Sequence, residues 1–79
     1  MQAWSFILSQ VTNLRQLWFV ELKNMENAKV ELIDEIGRKL LNASNINYIN
    51  LSKYENGIYI IKITKQSGKK YYNKVLLNK

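Results

Sequence analysis

The sequence predicts a fold built mainly from β-strands, within one small domain of 79 residues. The last third of the chain contains two runs rich in β-branched and aromatic residues, which is typical of strands. Glycines and asparagines interrupt these stretches and supply turn signals. Hydrophobic residues make up 47% of the chain, so it has enough apolar side chains to form a folded core.

The first half of the chain contains one clear strand and one ambiguous stretch. Residues 17–22 (Leu-Trp-Phe-Val-Glu-Leu) are rich in aromatic and apolar side chains, and a Lys-Asn turn signal follows them. Between residues 24 and 41, apolar side chains recur at every third or fourth position, which slightly favours an amphipathic helix. The alternative is two strands, with residues 28–32 running out, a turn at 34–37 and residues 38–43 returning.

Three further strands are predicted in the second half. Residues 47–51 alternate polar and apolar side chains and form a short strand. An Asn-Gly turn signal then leads into residues 57–64, the clearest strand in the chain. A short glycine-containing loop joins this strand to residues 70–77, so the two strands are predicted to form a β-hairpin.

The composition excludes several kinds of catalytic and metal site. The chain has no Cys and no His, so disulfides, the usual zinc sites and nucleophile–histidine pairs are impossible. Glu31, Asp34 and Glu35 form an acidic cluster, which we interpret as solvated turn residues rather than as acid–base or cation-binding groups. The apolar opening segment is too short to span a membrane. We therefore predict no enzyme activity, no metal, no cofactor and no membrane span.

The net charge of +6 lies entirely in residues 53–79, which contain seven lysines and one acid. A basic segment attracts nucleic acid, anionic membranes or acidic proteins, although lysines also protect exposed sheet edges. On the predicted strand 57–64, Tyr59 shares a face with Ile61 and Ile63, so it is not an obvious platform for base stacking. We therefore expect no nucleic-acid partner.

Three blocks in the chain resemble the C-terminal sorting domains of the type IX secretion system (type A, the Por secretion system family). Residues 28–41 are similar to the family's strand, turn, Gly, Arg/Lys and strand element. Residues 48–63 include Asn-Leu-Ser, Gly-Ile-Tyr and Lys, as in the family's second block. Residues 68–79 resemble its closing strand, which typically ends in lysine. The blocks occur in the family's order.

The resemblance implies an all-β fold, a small immunoglobulin-like antiparallel β-sandwich, and it favours strands for residues 24–41. It also implies a non-catalytic secretion signal spanning residues 16–79, with a cargo domain expected N-terminal to it in the full protein. Partners would be the type IX translocon and a sortase-like protease of Bacteroidota, with export through the periplasm and outer membrane to the cell surface or outside. Family members usually begin with a Tyr-Pro-Asn-Pro-like motif, whereas this chain has no proline. Residues 1–15 are therefore expected to be a truncated or atypical N-terminal segment.

We expect the translocon to recognise turn glycines, a buried tyrosine and exposed lysines, or to add a strand at the edge of the last strand. A generic adhesion or interaction module of a surface protein is the main alternative function, and a basic nucleic-acid-binding domain is a weaker one. The predicted recognition residues are Gly37, Gly57, Tyr59, Lys62, Gly68, Lys69, Lys70, Lys74 and Lys79.

Overall fold

Eight strands and no helix are present in the computed structural model, which describes residues 6–9, 11–14, 17–22 and 27–79. The strands are β1 (Phe6–Ser9), β2 (Thr12–Leu14), β3 (Leu17–Glu21), β4 (Lys29–Ile33), β5 (Lys39–Ser44), β6 (Tyr48–Asn50), β7 (Gly57–Thr64) and β8 (Lys70–Leu77).

The strands form two sheets packed as a sandwich. One sheet has five strands in the order β1-β8-β7-β4-β5, and the other has three in the order β2-β3-β6. All pairs are antiparallel except β1 with β8, which is parallel. The all-β sandwich prediction is confirmed, and the parallel pair is an addition that the sequence did not indicate.

The core lies between the two sheets and follows from the alternation of the strands. On β7, Tyr59, Ile61 and Ile63 are buried, while the residues between them are only half-buried. Residues with the same orientation on neighbouring strands and on the smaller sheet complete the apolar layer. The buried apolar residues are Val20, Leu22, Ala28, Val30, Leu32, Ile49, Leu51, Tyr59, Ile61, Ile63, Val75 and Leu77.

The ambiguous middle of the chain forms strands, as the family resemblance favoured, in the described residues from 27 onward. Strand β4 lies between β5 and β7 and pairs with both, so its backbone groups are satisfied on each side. Val30 and Leu32 are fully buried as a result. The slight helical periodicity is overridden because this pairing satisfies the backbone of β4 on both sides while its apolar side chains join the core between the sheets. Residues 23–26 lie outside the described residues.

Two strands occur in the segment for which no strand was predicted, residues 1–15. Strand β1 lies along β8, with Phe6 opposite Tyr72 and Ser9 opposite Val75. Strand β2 pairs with β3 in the smaller sheet. The chain therefore contributes one strand to each sheet before β3 begins. Residues 1–5, 10, 15 and 16 lie outside the described residues.

Candidate recognition surface

The last residue of the chain is folded back onto the loop that precedes β7. The backbone N–H of Lys79 donates a hydrogen bond to the side-chain oxygen of Asn56 at 2.8 Å. The Lys79 ammonium donates to the backbone carbonyl of Ser52 at 3.0 Å. We call this arrangement of Lys79, Asn56 and Ser52 the C-terminal clamp. It holds Lys79 against the loop before β7, so these three residues form part of the folded surface.

The turn at Gly57 is joined to the β4–β5 turn through Glu35. The Glu35 carboxylate accepts a hydrogen bond from the backbone N–H of Ile58 at 3.0 Å. Gly57 has a φ angle of +157°, and a Cβ added there would lie 3.2 Å from the same carboxylate oxygen. Glycine is therefore favoured at this position by its backbone conformation and by the nearby carboxylate.

Tyr59 is buried beneath these turns, with only 6% of its surface exposed. Its hydroxyl donates a hydrogen bond to the backbone carbonyl of Glu55, and the centroids of the Tyr59 and Tyr54 rings are 6.1 Å apart. Burial raises the pKa of the Tyr59 hydroxyl, and the negative charge of Glu55 raises it further. Tyr59 therefore supports the loop from below and does not present its ring to a ligand.

The β4–β5 turn containing Gly37 is organised by Asp34. One carboxylate oxygen of Asp34 accepts hydrogen bonds from the backbone N–H groups of Ile36 at 3.1 Å and Arg38 at 2.8 Å. The other oxygen lies 2.6 Å from Nε of Arg38. Burial acts to raise the pKa of Asp34, but these hydrogen bonds and the charge of Arg38 outweigh it and lower the pKa. Gly37 occupies this turn with a φ angle of +88°.

The β7–β8 turn lies at the opposite end of the sheet. The backbone N–H of Lys65 donates to the carbonyl of Lys69 at 2.8 Å, and Gly68 has a φ angle of +92°. Lys69 and Lys70 are exposed here. Strand β7 is eight residues long, so its two ends are separated by about 23 Å. One compact partner site does not cover both turns.

Lys62 and Lys74 lie in a third region, the outer face of the five-stranded sheet. Lys62 is half-buried and stands opposite Glu31 on β4, whereas Lys74 is exposed and stands opposite Ile60. The structure thus divides the predicted recognition residues into three groups. Gly37, Gly57, Tyr59 and Lys79 lie at the end of the sandwich that carries the C-terminal clamp and the β4–β5 turn, which we call the clamp end. Gly68 and Lys69 lie at the far turn, and Lys62, Lys70 and Lys74 lie on the outer face, where Lys70 begins β8.

Comparison with known protein families shows which family the chain belongs to. The profile of one family, described as a secretion system C-terminal sorting domain, matches residues 15–78. The chain belongs to the type IX secretion C-terminal sorting domain family. No curated protein and no solved structure matches the chain significantly. The family match favours the sorting function over the adhesion and nucleic-acid alternatives.

Members of this family are sorting signals for type IX secretion, which implies interaction with the secretion machinery and export to the cell surface or outside. The described residues of this sorting domain contain no group of His, Cys, Asp and Glu side chains arranged to hold a metal ion. They likewise contain no helix long and apolar enough to cross a membrane.

The edge of the last strand of the sorting domain is already occupied. Strand β1 pairs with β8 from Tyr72 to Val75, so strand addition there requires β1 to leave. The sequence did not indicate the hydrogen-bond acceptors in the loops of this candidate surface. Ser52 and Asn56 are examples, and their donor, Lys79, is distant in the chain. The Asn-Gly dipeptide marked Asn56 as a turn residue, but it carried no signal of a contact with Lys79.

Proposed function

We propose that this sorting domain directs a cargo polypeptide N-terminal to it through the type IX translocon, and that the translocon reads its clamp end. A sortase-like protease then acts on the exported protein, which reaches the cell surface or the medium through the periplasm and outer membrane. The observation that carries the proposal is the C-terminal clamp, which makes the last residues part of the folded surface.

The clamp end offers a translocon a preorganised surface. Four of the nine predicted recognition residues lie there, and hydrogen bonds that the Glu35 and Asp34 carboxylates accept from backbone N–H groups hold the adjoining turns. Lys79, Asn56 and Gly37 are exposed, so a partner can reach them. A surface that is already ordered loses less conformational entropy on binding than a free tail. Recognition of a folded surface is therefore favourable here.

A reporter fusion tests export. The full 79-residue chain is placed after a periplasmic reporter in a bacterium that has a type IX system, with a translocon-deficient strain as control. We expect the reporter on the cell surface or in the medium of the first strain and in the periplasm of the second. Retention in the periplasm of both strains, as for a reporter without the domain, contradicts the proposal.

A matched pair of asparagine substitutions tests the recognition surface. Asn56→Ala removes the acceptor of the Lys79 backbone N–H, whereas Asn42→Ala changes an exposed asparagine on β5. We expect the first substitution to reduce export and the second to leave it unchanged, with both domains folded by circular dichroism. Equal export of the two variants means that the translocon does not read the clamp end, even if the domain is a sorting signal.

A further inference from the structure

The outer face of the five-stranded sheet, which points away from the core, concentrates lysines. On strands β4, β7 and β8 the buried residues Val30, Ile61 and Val75 alternate with residues that point to the opposite face. The cross-strand register places four lysines of these three strands on this face, and Lys39 of β5 lies on it too but is paired with Glu31. We call the other four lysines the lysine face. They are Lys29, Lys62, Lys70 and Lys74.

Lys62 lies at the centre of the lysine face. It stands directly opposite Glu31 on β4, and the other three lysines are its diagonal neighbours on β4 and β8. Diagonal neighbours on antiparallel strands have Cα atoms about 7–8 Å apart. The four ammonium groups are therefore close enough to act together on one polyanionic partner, and they repel one another in its absence.

The single carboxylate on this face, that of Glu31, offsets little of the positive charge of the four lysines. Glu31 is only 3% exposed, and its Oε2 lies 3.0 Å from the ammonium of Lys39, in an ion pair without the alignment of a hydrogen bond. Lys39 lowers the pKa of Glu31, with smaller contributions from Lys29 and Lys62. Among the described residues, no member of the lysine face forms an ion pair within 4.0 Å. The Glu31 carboxylate is thus neutralised mainly by Lys39, so the four lysines of the lysine face retain their net positive charge.

The side chains on this face suit a lipid surface better than a protein surface. All its cations are lysines, which are depleted from protein–protein interfaces, whereas arginine provides the bidentate contacts favoured there. Aliphatic side chains adjoin them: Ile60 is half-buried, and Leu76 is 55% exposed beside Lys74. Lysines interspersed with aliphatic groups on one face are complementary to the headgroup region of an anionic bilayer.

We propose that the lysine face docks the sorting domain onto an anionic phospholipid surface. The lysines bind lipid phosphates, and Leu76 contacts the boundary between headgroups and acyl chains. This inference does not depend on the proposed export function, because lipid binding is measured on the purified chain without a secretion system. Failure of one proposal therefore leaves the other standing.

Vesicle co-sedimentation of the purified chain tests the inference. The vesicles contain equal parts of phosphatidylcholine and phosphatidylglycerol, and vesicles of phosphatidylcholine alone serve as control. We expect binding to the anionic vesicles only, weakened by added salt because screening reduces the attraction. Lys74→Gln should reduce the partition coefficient about fivefold, and Lys70→Gln combined with Lys74→Gln about thirtyfold, since each lysine near an anionic surface contributes comparably.

Two further variants test whether binding depends on the lysine face itself or only on the overall positive charge of the chain. Lys53→Gln removes an exposed lysine outside the lysine face and should change the partition coefficient less than twofold, if the attraction is local. Glu31→Gln removes the one carboxylate of the face and should tighten binding. Equal losses for the Lys53 and Lys74 variants, or no binding to anionic vesicles, overturn the proposal. Displacement of the vesicles by a single-stranded oligonucleotide at equal phosphate concentration also overturns it and indicates a nucleic-acid partner.

Discussion

Replacing Gly57 by alanine should destabilise the sorting domain more than the same replacement at Gly68. Gly57 has φ +157° and Gly68 has φ +92°, and L side chains rarely adopt either conformation. Such backbone strain costs about 1–3 kcal/mol at each position. The two sites differ in their surroundings, because a Cβ at Gly57 would lie 3.2 Å from Oε1 of Glu35, while nothing lies within 4 Å at Gly68.

The contact with Glu35 adds a second destabilising contribution to the Gly57→Ala substitution. The same Oε1 accepts the hydrogen bond from Ile58, so moving the carboxylate away weakens that bond. A net hydrogen bond is worth about 0.5–1.5 kcal/mol, and because Glu35 is exposed we take about 1 kcal/mol. Gly57→Ala should then cost about 2–4 kcal/mol and Gly68→Ala about 1–3 kcal/mol. For a small domain, a difference of 1 kcal/mol corresponds to about 4–8 °C in melting temperature.

Urea unfolding followed by far-UV circular dichroism measures both free energies of unfolding. A double-mutant cycle with Glu35→Ala isolates the contact, because removing the carboxylate should make Gly57→Ala cheaper by about 1 kcal/mol. Gly68→Ala in the same background should show no coupling. Equal costs for the two alanine substitutions, together with additivity in the cycle, would refute the role assigned to Glu35.

Three other perturbations have expected outcomes. Ile61→Ala should lower the free energy of unfolding by about 2–5 kcal/mol in urea denaturation, because Ile61 is fully buried between the sheets; a cost below 1 kcal/mol would contradict that packing. Because the folded-state pKa of Glu31 is lowered from 4.5, its stabilisation is present above that pH and is lost as pH falls through the folded value. Acid titration of the melting temperature should therefore show a smaller dependence in Glu31→Gln, and an unchanged one would argue against the ion pair. The raised pKa of Tyr59 means that its stabilisation is present below about pH 10 and is lost as pH rises through the folded value. Tyr59→Phe should reduce this alkaline loss in thermal melts, and an identical alkaline profile would mean that the hydroxyl is not buried.

Local sequence patterns predicted four of the eight described strands, namely β3, β6, β7 and β8. Strands β7 and β8 agree with the predicted residues 57–64 and 70–77, because the alternation and the turn signals that define a hairpin lie within the hairpin itself. Gly37 and Gly57, which the sequence places in turns, have positive φ angles for the same local reason. Residues 28–41 did not reveal their conformation by periodicity, since a helix and two strands bury comparable sets of apolar side chains.

The arrangement of the candidate recognition residues was predictable only in part. Turn glycines and the burial of the Tyr59 ring could be predicted from the sequence, and four predicted residues lie at the same end of the sheets. Contacts of the clamp were not predictable, because Lys79 and Ser52 are separated by 27 positions in the chain. The pairing of β1 with β8 joins residues that lie still farther apart in the chain, and it changes which edge of the sheet is open.

The sequence by itself determined the all-β character, the C-terminal hairpin, the family resemblance and the excess of positive charge in residues 53–79. These properties depend on composition and on alternation over a few residues. The tertiary structure alone decided that β4 pairs with both β5 and β7, that Lys79 closes a clamp and that Lys29, Lys62, Lys70 and Lys74 share one face. Each of these depends on cross-strand register, which is set by hydrogen bonds and apolar burial between segments far apart in the chain.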